Sequence, residues 1–167
     1  VIDTTAQRVV KTLRLPNGSD LVLGIAVSPD GRYAAVTHNL ARFYVPTTQL
    51  ERGWMNTAAL TLLDVARLEI INTVLLDNFE SGAANPWAVA WTDDGGSILV
   101  THAGTHELSV IDFPGLWAKL DGLPAVLGPG QTPDYTRASN VKSEVPSDLA
   151  FLVGLRRRVP LHGKGPR

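Results

Sequence analysis

The chain has 167 residues, enough for one ordinary domain, and 44% hydrophobic against 19% charged side chains is the balance of a core-forming globular protein. Its 15 Lys+Arg and 16 Asp+Glu leave a net charge of −1, which argues against a polyanion or membrane-surface partner, and no apolar run is long enough to span a bilayer. The absence of cysteine removes disulfides, thiolate metal sites, Cys nucleophiles and covalent c-type haem from this segment.

Taken in chain order, Val1-Ile2-Asp3 closes an apolar run, and Arg8 to Leu15 reads as the strand that follows it. Ile25 to Val27 is a short apolar strand. Pro29-Asp30-Gly31 is a tight turn in which Gly supplies positive φ, and Tyr33 to Thr37 returns. An insertion spans about 39–58. A third strand then ends at Asp64, and a fourth runs from about Leu68 to Leu76. After the connection Asp77 to Pro86 the series starts again, with strands on either side of Asp93-Asp94-Gly95-Gly96 and another ending at Asp112.

A second insertion, about 113–155, follows that strand. Phe113 to Leu120 predicts a short helix starting after Pro114, and Ser147 to Leu155 predicts a second with Ser147 as its N-cap. The Pro/Gly/Ser/Thr-rich stretch between them reads as irregular. Arg156-Arg157-Arg158 enters the last strand and reads as a solvated strand edge rather than a phosphate site. Gly165-Pro166-Arg167 matches Asn85-Pro86-Trp87.

The two halves are copies. Gly24 to His38 aligns without gaps on Ala88 to His102 at an offset of 64, and six of the fifteen positions are identical, ending in Thr37-His38 and Thr101-His102. Unrelated segments would share about one. Val1-Ile2-Asp3, Leu62-Leu63-Asp64 and Val110-Ile111-Asp112 form a second recurring element. Four antiparallel strands cannot bury both faces alone, so such a unit stacks radially on copies of itself. The expected fold is therefore all-β: a partial β-propeller with two full four-stranded antiparallel blades, partial flanking blades, and short helices in an insertion. Residues 1–15 end one blade, 22–76 and 87–161 form the next two, and 165–167 begin another. A two-sheet sandwich of unrelated strands would not repeat at this period. Both ends fall inside a unit, so the chain is expected to be a fragment of a longer protein.

Ala26 to Thr37, followed by a run ending Leu-Asp, resembles the YVTN-type (YncE-like) β-propeller repeat, and Gly104 to Asp112 looks like its third strand. The resemblance covers most of the chain outside the insertions. It departs from the usual Thr-Asn at the end of the second strand, having Thr-His twice. It implies a bacterial or archaeal periplasmic, secreted or cell-surface protein. Some members of that family are joined to cytochrome c peroxidase-like di-haem domains, and related propellers hold quinone-dependent enzymes. The repeat is specific for fold and weak for function.

Candidate sites follow from loop placement. The 39–58 insertion and the connection 77–86 should open on one face of the disc and the 113–155 insertion on the other. Long ordered loops on a rigid scaffold concentrate binding residues. Here they offer Arg42, Tyr44, Gln49, Arg52, Trp54 and Asn56, against a reading in which the loop's apolar side chains only plug it onto the sheets. His38, His102 and His106 are candidate metal ligands. Against this, a repeated His can simply cap its strand end, and no carboxylate recurs beside it. Nucleotide, Walker, nucleophile-elbow and zinc-protease motifs are absent. No catalytic residue and no cofactor is expected in this segment. The expected function is a non-catalytic binding or scaffold module whose partners are other blades and a protein or cytochrome domain, with no nucleic acid and no membrane span. The alternative is the propeller part of a haem- or quinone-dependent redox enzyme whose catalytic groups lie elsewhere.

Overall fold

A computed structural model describes residues 1–42 and 55–163. The chain is built mainly of antiparallel β-strands. Strands β1 (Ile2–Asp3) and β2 (Arg8–Val9) form a small hairpin. A four-stranded sheet follows, in the order β3 (Ser19–Val27), β4 (Tyr33–Ala41), β5 (Asn56–Asp64), β6 (Glu69–Leu75). A second has the same order: β7 (Pro86–Trp91), β8 (Ser97–His102), β9 (Glu107–Asp112), β10 (Arg156–Pro160). No helix among the described residues is long and apolar enough to cross a membrane.

The repeat in sequence is a repeat in local chemistry. In each sheet's first hairpin a hydroxyl donates to the turn aspartate, Ser28 Oγ to Asp30 and Thr92 Oγ1 to Asp94, both at 2.6 Å. That oxygen also accepts the backbone N–H of Arg32 or Gly96, and the hydroxyl accepts the N–H of Tyr33 or Ser97. Gly31 and Gly95 close the turns at φ +73° and +68°, a conformation that costs glycine nothing. The β1–β2 and β5–β6 turns also correspond. Asp3 and Asp64 accept backbone N–H groups within the turn, and Gln7 and Leu68 adopt left-handed φ.

Strand pairing sets which face each residue presents, because paired residues share a face and neighbours alternate. Ala35 opposite Leu62 faces the second sheet. These pack with Leu60, Val74 and Leu76 against Ile98, Val100 and Ile111. The first strands of the two sheets meet where Gly24 lies against Trp87 and Val89, and Trp91 Nε1 donates to Ala26 O across the joint at 3.1 Å. The other face of β3 is bare: Ile25 is 67% and Val27 54% exposed, beside Leu21 and Leu23.

The insertion begins as expected with helix α1 (Phe113–Asp121), Pro114 in its first turn. Phe113 and Trp117 stack with Tyr33 and Trp91 near the two hairpin turns, with ring centroids 4.7–6.3 Å apart. A 3₁₀ helix, Lys142–Ser147, follows, packed on β6. The helix expected over 147–155 does not form. Asp148, not Ser147, caps the segment, accepting from Ala150 N and Ser139 Oγ, and the bonds Phe151 N to Asp148 O, Val153 N to Ala150 O and Leu155 N to Leu152 O are successive turns. Gly154 at φ +78° ends them. Period alone cannot separate such turns from a helix when Leu149, Phe151 and Leu152 are all buried.

The second insertion is also not confined to the opposite face. It leaves β9 beside the hairpin turns, runs along the outer edge of β6, where Asn72 Nδ2 donates to Lys142 O, and reaches the far end of that sheet. There Leu149 packs with Leu40, Ala59 and Leu75, and Arg42 Nη2 donates to Ser147 O at 3.2 Å. An edge strand with unpaired backbone favours such a cover.

Candidate functional site

Of the residues expected to bind a partner, Tyr44, Gln49, Arg52 and Trp54 lie outside the described residues. Arg42 directly follows β4 and Asn56 opens β5. Arg42 N donates to Met55 O at 2.7 Å, closing the β4–β5 ladder, and Asn56 is exposed. The Arg42 side chain crosses to the second insertion, so the two insertions meet at this end of the first sheet.

The repeated histidines are buried, and both ring nitrogens of each are occupied. His102 Nδ1 lies 3.0 Å from Ala83 O, which can only accept, so Nδ1 carries the proton and Nε2 accepts from Ser109 Oγ at 2.8 Å. His38 repeats the arrangement on its own sheet, Nδ1 to Asn39 O and Nε2 to Thr61 Oγ1, with Thr61 bonded to Thr73. His106 occupies a left-handed turn position, and its carbonyl accepts from Leu161 N. Among the described residues no three His, Asp or Glu side chains converge as metal ligands would. His102 holds the incoming connection of the neighbouring sheet, a capping role open to any neutral imidazole at that place.

Burial pushes the His102 pKa from 6.5 down to about 4, with Arg156 and Arg158 adding to the effect and Ala83 O and Glu107 opposing it. The unfolded chain takes up this proton near pH 6.5 and the folded chain only near pH 4. Stability carried by neutral His102 is therefore intact above 6.5 and lost as pH falls through that interval, by about 3 kcal/mol. Urea unfolding at pH 7 and pH 4.5 should show the loss in the wild type and most of it removed in His102→Gln. Equal losses in both would refute the assignment. The His38 pKa is lowered in the same direction by burial.

Sequence reasoning missed the residues that lock the two sheets together. Asp77, just after β6 and 5% exposed, accepts the backbone N–H of Ala58 and of Ala83, both at 2.6 Å. The arginine run on β10 is not a solvated edge. Strand alternation sends Arg157 outward and turns Arg156 and Arg158 toward the preceding connection. Arg156 donates to Leu76 O. Arg158 pairs with Glu107 and donates to Ser81 Oγ, Ser81 O and Gly82 O. The one available signal was the period of two in a predicted strand, which places alternate arginines on the inner face.

No known protein family's profile matches the chain. The curated protein hydrazine synthase subunit beta from Kuenenia stuttgartiensis is 26% identical over 112 residues, which are 67% of this chain and 29% of that protein. A chain of the solved Kuenenia stuttgartiensis hydrazine synthase structure superposes with a TM-score of 0.76 at 23% identity, covering 99% of this chain and 43% of that one, so the two share a fold. The present chain spans under a third of the curated relative and under half of the solved one. These similarities correct the expectation of a YVTN-type (YncE-like) repeat protein. The Ser-Pro-Asp-Gly hairpin that suggested it is a turn solution that any antiparallel repeat can adopt. The chain is thus similar in sequence to a hydrazine synthase beta subunit and in fold to a chain of a hydrazine synthase.

Proposed function

We propose that the two four-stranded sheets are neighbouring blades of a β-propeller, and that this propeller is a structural, non-catalytic part of a subunit in a multi-subunit enzyme related to hydrazine synthase. The observation that carries the first half is the packing. Two sheets of identical strand order, with matching turns and matching histidines, stack with one face of the first against the opposite face of the second, and the bare face of β3 repeats the one that β7 turns to its neighbour. In this reading the face of Ile25 and Val27 receives a further sheet of the same protein, with the β1–β2 hairpin as the outer part of that blade.

The second half rests on the similarity to a protein described as one subunit of a synthase and on where the elaborations gather. The end of β4, the start of β5, the connection 77–85 and the part of the second insertion around Ser147 lie at one end of the first sheet. In this reading that end is the surface offered to another subunit, with Arg42 and Asn56 at its base and Tyr44, Gln49, Arg52 and Trp54 in the loop. Arg and Trp dominate such interfaces.

The test replaces residues 43–54 with a short Gly/Ser linker in the full-length protein and follows co-purification with the other subunits. The expected result is loss of assembly with unchanged circular dichroism and melting temperature. Assembly at wild-type yield, or turnover by the isolated subunit without the others, would overturn the proposal.

A further inference from the structure

Arg156 is a half-buried cation whose guanidinium keeps N–H groups open to solvent. It lies on β10 at the joint between the two sheets and donates one hydrogen bond, to Leu76 O. A guanidinium carries five N–H donors. Among the described residues it makes no ion pair. Asp77 attracts it but forms no ion pair with it, each carboxylate oxygen of Asp77 accepting one backbone N–H, from Ala58 and from Ala83. Arg158, two residues on and on the same side of the strand, is saturated by Glu107, Ser81 and Gly82, so it adds positive potential without consuming the ligand capacity of Arg156. Burial lowers the Arg156 pKa to about 10, with repulsion from Arg158 adding to it and the attraction of Asp77 and Glu107 opposing it.

Both arginines border a cavity of about 310 Å³, at the lower end of the range for small-ligand sites. Leu149, Leu152, Val153 and Gly154 of the second insertion form the apolar side of this open cavity. The remaining polar lining is Asn78. Its Oδ1 accepts from Glu80 N, Ser81 N and Ser81 Oγ, which leaves its NH₂ to donate.

We propose that this cavity binds a small oxyanion, of the carboxylate or phosphate type, held by the Arg156 guanidinium and the Asn78 amide. The ligand would replace water over the free edge of Arg156 and tie β10 to the connection after β6. Binding would therefore stabilise the joint between the two sheets.

The full-length protein is titrated with sodium phosphate and, separately, with sodium acetate, at ionic strength held constant with sodium chloride, and followed by melting temperature and calorimetry. The expected result is a saturable rise in melting temperature with at least one of the two anions. Affinity should fall about tenfold or more in Arg156→Gln and in Asn78→Asp. Asn78→Asp keeps the oxygen that organises the 78–81 turn and replaces the donor by a negative group, so it tests the proposal even if Arg156→Gln does not fold. A melting temperature that follows ionic strength alone in the wild type, or undiminished anion affinity in Asn78→Asp, would overturn it.

Discussion

Asp77→Ala is expected to destabilise the folded chain by about 4 kcal/mol. Each oxygen of this carboxylate accepts one backbone N–H, from Ala58 in β5 and from Ala83 before β7, and all three residues are buried. Alanine leaves both donors without a partner and without water, at about 1–3 kcal/mol each. It also removes the anion that attracts Arg156 and Arg158. Asn at this position keeps one acceptor and points an NH₂ at the other N–H, so Asp77→Asn should recover less than half of the loss. Burial pushes the Asp77 pKa up, against the lowering effect of the two N–H bonds and the arginines. A raised carboxyl favours folding below the ordinary carboxylate range, and that contribution is lost as pH rises through the raised value. The same residue is therefore the bond that holds the joint at neutral pH and a charge the joint tolerates at a cost. Urea unfolding of the two variants decides: a loss under about 1 kcal/mol in Asp77→Ala would mean that the two N–H groups find other acceptors.

The second large effect is at Gly24. A Cβ built there comes within 2.9 Å of Trp87 O and 3.2 Å of Val89 N, which are backbone atoms of the neighbouring sheet, and 2.8 Å of Thr37 Oγ1. Rotating a side chain can relieve only the last of these. Gly24→Val must push β3 and β7 apart, and the cost should be about 3 kcal/mol or more. On the opposite face of the same strand, Ile25→Ala distinguishes two states of the molecule. It should cost little if that face meets water, and about 2–4 kcal/mol in the full-length protein if another sheet covers it, as the propeller reading requires. Thermal or urea unfolding of Gly24→Val, Ile25→Ala and wild type in parallel checks both statements. A Gly24→Val variant as stable as wild type would show that the two sheets are not held at the spacing described.

The parts of the chain that were legible from residues alone share a property: their chemistry closes over a few positions. Ser28-Pro29-Asp30-Gly31 and Thr92-Asp93-Asp94-Gly95 are hairpin turns because hydroxyl, carboxylate and glycine satisfy one another within six residues. Recurrence at a fixed offset of 64 then predicted two equal sheets, and their strand order followed. Pro114 predicted the start of α1 for the same local reason.

What the sequence by itself determined, then, was the repeat, the turns and the all-β class. Only the tertiary structure decided what those elements do to each other. The path of 142–152 around β6 depends on an exposed strand edge far away in sequence that needed covering. The inward turn of Arg156 and Arg158 depends on carbonyls of 76–82 that only sheet-on-sheet packing brings near. His38 and His102 looked like a site because they recur, and folding buries each with both nitrogens satisfied. The charged joint around Asp77 left no local trace, because its partners lie up to 80 residues apart and nothing in the pattern of any one strand marks an aspartate that will lose its water.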